Sequence, residues 1–501
     1  MELFENILLG FSTALTWQNL GYALMGVVLG NLIGVLPGIG AIAAIAMLLP
    51  VTYGLDPAGA LVMLAGIYYG STYGAAITSI LLNLPGTAQH AVVCLDGHPM
   101  ARQGRAGPAL LSAMVASFIG ATIGILVLML FSPLLVALAM QFGPTEYFAV
   151  MLLGLFAAAT LTRGSALKGL AMTLIGLLAG IIGTDVNTGV LRFTFGLQDL
   201  QDGLSLVALA MGLFGVAEVI RNVNKPGFKA SAVTTKVTMR SLWEGRKELK
   251  GLMGSIWRGS GLGALFGLLP GTGGTLASFL SYATEKKVAK DPKRFGRGAI
   301  EGVSGPEAAN SSAAQTAFVP TLNLGIPGDS TMALMLGALM IHHIQPGPTL
   351  MADHPTVFWG LIASFWIGNV MLMILNIPLI GIWVRMLTVP YRLIFPTVLF
   401  FICIGVYSES NAFFDVWVVM AIGLLGFMLI KLGFEPAPML LGFILGPMVE
   451  ENFRRALLVS HGDFTVFLTK PISAACILFI ACMLILRIYG ARRPTSLFRR
   501  G

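Results

Sequence analysis

Long apolar runs, each broken by only a few polar positions, recur along the whole chain. The clearest are residues 108–131, 147–162, 203–220, 356–378, 414–430 and 466–486. Each is close to the roughly 20 residues that a helix needs to cross a membrane. None shows the strict alternation of apolar and polar residues that marks the strands of a membrane barrel. The pattern predicts an all-α polytopic membrane protein with about 10–12 transmembrane helices.

Composition favours the same class. Hydrophobic residues make up 56% of the chain and charged residues 11%, whereas a soluble domain carries roughly a quarter charged residues. The 61 glycines are spread through the apolar runs, which favours close approach of helices in lipid. The start of the chain has no basic segment or cleavage motif, so no removable signal peptide is expected. The four cysteines have neither paired nor metal-ligand spacing, so they are interpreted as small apolar residues.

The basic residues responsible for the net charge of +8 are concentrated in a few segments of the chain. All but four of the 31 Lys and Arg residues fall in segments that can face one side of the membrane, and the four exceptions are Arg192, Arg454, Arg455 and Lys470. Basic segments collect on the cytoplasmic side of membrane proteins. The bias therefore predicts a cytoplasmic C-terminus and explains the positive charge without a nucleic-acid partner.

The chain contains a second, altered copy of its own motifs. Three pairs keep their order and approximate spacing: Gly34–Gly40 with Gly267–Gly273, Leu82–Gly86 with Leu322–Gly328, and Ile175–Leu178 with Ile422–Leu425. The loop after Leu82–Gly86 carries Arg102 and Arg105, whereas the loop after the second copy carries no Lys or Arg. Corresponding loops are thus expected on opposite sides of the membrane, as in an inverted-topology repeat.

The repeats divide the chain into four predicted parts. Residues 1–220 form the first membrane repeat, 221–251 a basic cytoplasmic linker, 252–490 the second membrane repeat, and 491–501 a basic cytoplasmic tail. The sequence leaves the crossings within 432–465 unassigned.

Gly and Pro interrupt both repeats at matching places. We predict re-entrant hairpins with tips at 36–40 and 269–275, and helix breaks at 82–87 and 323–331. Such clusters can simply kink a helix, but inverted repeats commonly bind substrate on broken helices at the midplane. Half-helix N-termini attract anions, and freed carbonyl and hydroxyl oxygens suit a hard cation such as sodium.

The candidate substrate- or ion-binding residues lie in these interruptions and in the polar run before the last one. They are Pro37, Gly38, Gly40, Asn83, Pro85, Gly86, Thr87, Gly271, Thr272, Gly273, Thr275, Asn310, Ser311, Asn323, Gly325, Pro327, Gly328, Asp329, Ser330 and Thr331. No catalytic residue is predicted, and no metal site beyond a sodium site within the same segments. Asp329 has two interpretations, as the N-cap of the following helix or as a cation ligand.

Two further polar runs lie inside apolar helices, at residues 307–316 and 69–79. Polar side chains at membrane depth usually face the interior of the helix bundle. Hydrogen bonding between helices and ligand binding both explain them, and the sequence does not choose.

These motifs together resemble the large membrane subunit of the bacterial tripartite tricarboxylate transporters. The matching stretches are Gly34–Gly40, Tyr73–Thr87, Asp96-Gly97, Leu269–Gly273, Pro306–Asn310, Leu324–Gly328, Gly337-Ala338 and Gln345–Pro348. Asp329 and the stretch Tyr73–Ala76 depart from the family pattern, so citrate is not implied as the substrate. The resemblance extends essentially from end to end.

The resemblance implies secondary active uptake of a di- or tricarboxylate across the bacterial inner membrane, with an elevator-like motion. It implies a sodium ion, or a proton, as the coupling ion and no organic cofactor. It also implies two protein partners, a small four-helix membrane subunit and a periplasmic solute-binding protein, in addition to the surrounding membrane lipid. The alternatives are a membrane enzyme or lipid flippase without ion coupling, and a passive channel. No nucleophile–base pair or metal constellation favours the enzyme.

Overall fold

The computed structural model describes residues 2–36, 41–160, 165–185, 188–223, 237, 239–269, 273–387 and 391–491. Helices make up nearly all of its secondary structure. The all-α class predicted from the apolar runs is therefore confirmed.

The elements of the first half follow one another as ten helices and one two-stranded hairpin among the described residues. They are α1 (Glu2–Ala14), α2 (Trp17–Val35), α3 (Ala41–Thr52), α4 (Pro57–Leu82), α5 (Cys94–Met100), α6 (Ala106–Ala139), α7 (Pro144–Thr160), α8 (Ala166–Gly180), β1 (Gly183–Thr184), β2 (Leu191–Arg192), α9 (Leu206–Ala210) and α10 (Ala217–Val223). Short 3-10 turns cover Ala88–Ala91 and Gln198–Leu200, and π turns cover Ala101–Arg105 and Met211–Val216.

The remaining elements are all helical within the described residues. They are α11 (Met239–Glu244), α12 (Arg246–Gly267), α13 (Gly273–Val288), α14 (Glu301–Thr316), α15 (Phe318–Leu324), α16 (Ser330–Ile341), α17 (Leu350–Asp353), α18 (Pro355–Asn376), α19 (Ile380–Met386), α20 (Tyr391–Ser410), α21 (Phe413–Lys431), α22 (Ala437–Val459), α23 (Val466–Thr469) and α24 (Pro471–Ala491), with a 3-10 turn at Pro292–Arg294. The predicted linker 221–251 thus contains α11 and the start of α12. The unassigned segment 432–465 contains one continuous helix, α22.

Several helices are long and apolar enough to cross a membrane. Among the described residues they are Trp17–Val35, Pro57–Leu82, the continuous run Cys94–Ala139, Pro355–Asn376 and Phe413–Lys431. Shorter apolar helices of 10–17 residues accompany them. Large apolar side chains such as Leu130, Trp417 and Leu478 are exposed on the outer helices, where lipid rather than water would surround them. This arrangement is that of a multi-pass membrane protein.

The core is built on two helix pairs that approach unusually closely. In the first half, a Cβ placed on Gly30 of α2 would lie 2.2 Å from the carbonyl oxygen of Ile67 in α4. In the second half, a Cβ placed on Gly263 of α12 would lie 2.2 Å from the carbonyl oxygen of Ala309 in α14. Only glycine permits such approach, and small residues at helix contacts are typical of membrane proteins. In the sequence, one Leu-Pro-Gly motif follows the first helix of each pair, so the two halves share their order of elements.

The two halves are joined by a buried carboxylate. Oδ1 of Asp96 accepts hydrogen bonds from the backbone N–H groups of Gly296, Gly298 and Ala299, each at 2.8 Å. The other oxygen accepts a hydrogen bond from the hydroxyl of Tyr282 at 2.8 Å. Four donors on one ionised group form strong, charge-assisted bonds. The segment after α4 is therefore fixed to the loop that precedes α14.

A second ionic network ties the β1–β2 hairpin to α22. Arg192 pairs with Asp185 at 2.6 Å and with Glu450 at 3.0 Å, and Arg454 contacts the same two carboxylates at 3.1 and 2.7 Å. Hydrogen bonds to Glu450 and then to Asp185 raise the pKa of Arg192 above its ordinary value. Four basic residues fall outside the segments that can face one side of the membrane. Three of them lie in or beside this hairpin contact: Arg192, Arg454 and Arg455.

Candidate functional site

A cavity of about 570 Å³ lies where the interruptions of the two halves meet. Its lining includes eight of the predicted residues: Pro85, Gly86, Thr87, Gly273, Thr275, Asp329, Ser330 and Thr331. The volume falls within the roughly 300–1,000 Å³ typical of small-molecule sites. The structure therefore brings segments more than 180 residues apart in sequence to one site.

Four helices begin at this cavity. Ala41 of α3, Gly273 of α13, Ser330 of α16 and Ala437 of α22 are the first residues of their helices, and all four line it. In the sequence each of these helices follows a stretch that contains Gly or Pro, and Gly273 itself has φ of +53°. The first N–H groups of a helix have no partner within the helix, and the N-terminus carries about half a positive charge. Together they make the cavity attractive to a small anion.

Asp329 gives the same cavity a negative group. One of its oxygens caps α16 by accepting the N–H of Met332 at 2.8 Å, and the other faces the hydroxyl of Tyr68 at 3.5 Å. The N-cap interpretation of Asp329 is thus observed, and its second oxygen is still directed at the cavity wall. Glu218 also lines the cavity, but its carboxylate pairs with Arg221 at 2.6 Å. The lining thus combines helix N-termini with the carboxylate of Asp329.

Several predicted residues lie away from the cavity. Asn83 ends α4 in the left-handed conformation with φ of 56° and is exposed. Asn323 is buried and donates a hydrogen bond to Ser132 of α6 at 3.0 Å. Ser311 faces a void of about 10 Å³ beside Tyr73. The symmetric pair of Asn residues in the sequence therefore occupies two different environments.

The other predicted positions are structural neighbours of the site or lie beyond the description. Gly325, Pro327 and Gly328 form the buried turn between α15 and α16, in which the N–H of Gly328 contacts the hydroxyl of Thr321. Asn310 lies behind the cavity wall, 3.3 Å from the ring of His90. Pro37, Gly38, Gly40, Gly271 and Thr272 lie outside the described residues.

The two polar runs have different hydrogen bonding. In α4 the hydroxyls of Ser71, Thr72 and Ser79 donate to carbonyls of their own helix. In α14, Oε1 of Glu307 and Oδ1 of Asn310 are buried and have no hydrogen-bond partner among the described residues. Helix hydrogen bonding thus explains these three hydroxyls of the first run, whereas the buried hydroxyl of Tyr69 and the second run retain capacity for a ligand.

Some cavity residues were not predicted. They include Ala41, Tyr68 and Glu218, and also Phe434–Pro438 and Leu441 at and just before the start of α22. The stretch Gly433-Phe-Glu-Pro-Ala-Pro438 carries the same kind of Gly/Pro signal as the other breaks. It has no equivalent in the first half, so a search based on repeated motifs passes over it. Among the described residues, no three His, Cys, Asp or Glu side chains come together as a metal site.

Comparison with known proteins gives a family and two relatives. The family model described as "Tripartite tricarboxylate transporter TctA family" matches residues 20–441. A protein of Agrobacterium vitis, named "Uncharacterized 52.8 kDa protein in TAR-I ttuC' 3'region", is 49% identical over 486 residues, which cover 97% of this chain and 96% of that protein. A second, named "Uncharacterized protein in TAR-II ttuC' 3'region" from the same organism, is 54% identical over 224 residues, which cover 44% of this chain and 93% of that protein.

Proposed function

Because the chain belongs to the tripartite tricarboxylate transporter TctA family, we propose that its cavity binds a small di- or tricarboxylate during cation-coupled uptake across the bacterial inner membrane. Family membership makes the chain the large membrane subunit of a tripartite system, so partner proteins are implied. We propose that these are a small four-helix membrane subunit and a periplasmic binding protein that delivers the substrate.

The convergence of four helix N-termini on one cavity carries this proposal. Four ends of about half a charge each supply roughly two positive charges, which would balance a dicarboxylate. Arg221 is the one Lys or Arg in the described lining, and it is paired with Glu218. A site made of backbone N–H groups and hydroxyls binds an anion without a bidentate Arg clamp. Such a site can release its substrate, which transport requires.

A cation is needed for charge balance at Asp329. With Asp329 ionised, a bound dicarboxylate would leave the cavity with about one net negative charge, and a tricarboxylate with two. We therefore place the coupling sodium ion between Asp329 and the substrate. The substrate would bind poorly without sodium, because the Asp329 carboxylate would repel it, and this dependence is the basis of symport.

Two charged residues of the cavity favour its opening to one side of the membrane. Glu218 and Arg221 both line the cavity, and Arg221 is the first residue of the basic segment 221–251 that the charge bias predicts to be cytoplasmic. The described conformation is thus proposed to be inward-facing. Inverted repeats provide the alternate, outward-facing state by exchange of the conformations of the two halves.

Uptake into proteoliposomes tests the function. The chain, its small subunit and its binding protein are reconstituted, and radiolabelled mono-, di- and tricarboxylates are supplied with and without an inward sodium gradient. We expect gradient-dependent accumulation of a di- or tricarboxylate. Asp329→Asn is expected to abolish the sodium stimulation, whereas Asp353→Asn, which changes an exposed carboxylate on α17, should leave it intact.

The location of the site is tested in the same vesicles. Thr87→Val and Thr331→Val each remove one hydroxyl from the cavity and are expected to raise the KM for uptake about tenfold, the value of one lost polar contact of about 1.4 kcal/mol. Asn83→Ala lies outside the cavity and should leave KM unchanged. If labelled substrate only equilibrates across the membrane, whatever ion gradient is applied, the pathway is passive. If Asn83→Ala raises KM and the two threonine variants do not, the substrate site lies outside this cavity.

A further inference from the structure

A second polar cluster, formed by His90, Glu307, Asn310 and Ser117, lies directly behind the cavity wall. His90 follows the break at 82–87, and Glu307 and Asn310 are one turn apart on α14. His90 and Glu307 have side-chain exposures of 1% each. We propose that this cluster binds a proton, shared by Glu307 and His90, that is carried together with the substrate. The inference rests on the proposed transport function and adds a second coupling ion to it.

The carboxylate of Glu307 lacks a compensating charge. Its Oε2 accepts a hydrogen bond from Ser117 at 3.1 Å, while Oε1 has no hydrogen-bond partner among the described residues. His90, with Nε2 at 3.8 Å from Oε1, is the basic side chain found within 4 Å of this carboxylate in the described part of the chain. An unpaired charge buried in this way is very costly, so the group needs a cation. An imidazole at this distance makes a proton the fitting one.

The hydrogen bonds of His90 show where that proton would act. Nδ1 lies 2.6 Å from the hydroxyl of Thr87, and Nε2 lies 3.3 Å from Nδ2 of Asn310. If Asn310 donates to a bare Nε2, its own oxygen and Oε1 of Glu307 both lack a donor, as observed. One proton added at Oε1 of Glu307 makes this carboxyl a donor that faces the bare Nε2. The cluster is then electrically neutral, with one more proton than its neutral imidazole and ionised carboxylate hold.

Thr87 connects this cluster to the cavity. Its side chain lines the cavity and contacts His90. A hydroxyl can accept one proton while it donates another, so Thr87 can pass a proton from cavity water to Nδ1 when the neutral imidazole carries its own proton on Nε2. The Nε2 proton can then transfer to Oε1 of Glu307, which leaves the imidazole protonated on Nδ1, and the reverse transfers release the proton when the cavity opens to the other side.

Other titratable groups around Glu307 have identifiable roles. Tyr73 of α4 and Cys94 of α5 face the carboxylate, and neither supplies a positive charge. Farther along α14, Glu285 of α13 is paired with Arg258 of α12 at 2.6 Å. Asp96 and Tyr282 bond to each other. The remaining contacts of the cluster, from α6 and α15, bring no ionisable side chain to it.

Proton movement can be measured separately from substrate exchange. Proteoliposomes containing the full three-protein system and a trapped pH-sensitive dye receive an inward gradient of about one pH unit with sodium at equal concentration on both sides and the membrane potential clamped. One coupled proton would then drive up to about tenfold accumulation of labelled substrate, accompanied by acidification inside. In Glu307→Gln, a neutral isostere of the protonated side chain, we expect accumulation near onefold and no substrate-dependent acidification.

Exchange of labelled for unlabelled substrate needs no net proton release, so Glu307→Gln should retain it within about threefold of the wild type. Glu301→Gln, on the same helix but paired with Arg294 outside the cluster, is the matched control and should keep both activities. Glu307→Asp retains an ionisable carboxyl and is expected to restore measurable acidification. Any substrate-dependent acidification by Glu307→Gln overturns the proposal, and so does loss of exchange in Glu307→Gln with normal Glu301→Gln.

The two proposals fail separately. Sodium-driven accumulation by the wild-type system without acidification in any gradient would refute the proton site and leave the transport function standing. Absence of accumulation in every gradient would refute the transport function itself.

Discussion

Replacing Gly263 of α12 with alanine is expected to push α12 away from α14, whereas the same change at Gly261 is not. A Cβ at position 263 would lie 2.2 Å from the carbonyl oxygen of Ala309 and 2.8 Å from Cβ of Ser312. At position 261 a Cβ would meet no atom within 4 Å among the described residues. The two glycines share one helix, so the pair isolates the helix contact from helix propensity.

The magnitude follows from two opposing terms. Alanine favours a helix over glycine by about 1 kcal/mol, so Gly261→Ala should be neutral or slightly stabilising. At position 263 an ordinary contact of about 3.4 Å would require the helices to separate by about 1.2 Å, and overpacking of this kind costs about 1–3 kcal/mol. After the propensity gain is subtracted, Gly263→Ala should lose up to about 2 kcal/mol relative to the wild type and about 1–3 kcal/mol relative to Gly261→Ala.

Heating of detergent-solubilised protein, followed by size-exclusion chromatography of the surviving monodisperse fraction, measures the difference. We expect an apparent midpoint a few degrees lower for Gly263→Ala than for Gly261→Ala. Since α14 carries Glu307 and Asn310, substrate exchange should also fall in Gly263→Ala at temperatures where it remains folded. Equal midpoints for the two variants would show that α12 and α14 are not in such close contact.

Two further changes test the contacts that join distant parts of the chain. Asp96→Asn replaces an acceptor of four hydrogen bonds and is expected to lower the free energy of unfolding by about 2–3 kcal/mol. Its thermal midpoint should lie below that of the control Asp202→Asn, a change at an exposed position. Arg192→Ala leaves two carboxylates with one cation fewer and should lower the thermal midpoint. Arg455→Ala is the control: it removes an exposed ion pair with Glu451 and should change stability by less than about 0.5 kcal/mol. A midpoint for Arg192→Ala that matches that of Arg455→Ala would contradict the ionic network.

Hydrophobic patterning was sufficient to predict the fold class, because few chains other than helical membrane proteins are this apolar throughout. Gly and Pro then predicted where helices would stop, and eight residues at those positions line one cavity. These signals are local: they depend on backbone conformation, which the residues themselves determine.

Side-chain direction was not predictable in the same way. Asn83 and Asn323 stand at matching places in two copies of one motif, yet one ends a helix in the left-handed conformation and the other bonds to α6. A rotation of about 100° per residue decides which way a side chain points, and an uncertainty of one residue at a helix end removes that information. The start of α22 was missed for a different reason, because its break has no partner in the first half.

The inverted repeat and the coupling ion remain predictions. The matching order of glycine-contacting helix pairs and Leu-Pro-Gly interruptions agrees with two related halves, but a shared order of elements does not fix their orientation in the membrane. Labelling of single cysteines introduced at Arg102 and at His354 with a membrane-impermeant reagent would determine the sides of the two loops.

The Asp96 contact has a consequence for how the protein can move. Asp96 belongs to the first half of the sequence, but its four hydrogen bonds all reach the second half, and His90 nearby contacts α14. A mobile body that included α13 and α14 would therefore carry residues 88–100 with it. The boundary between moving and stationary parts would cut across each half, and a hinge would lie within the halves and not in the segment that links them.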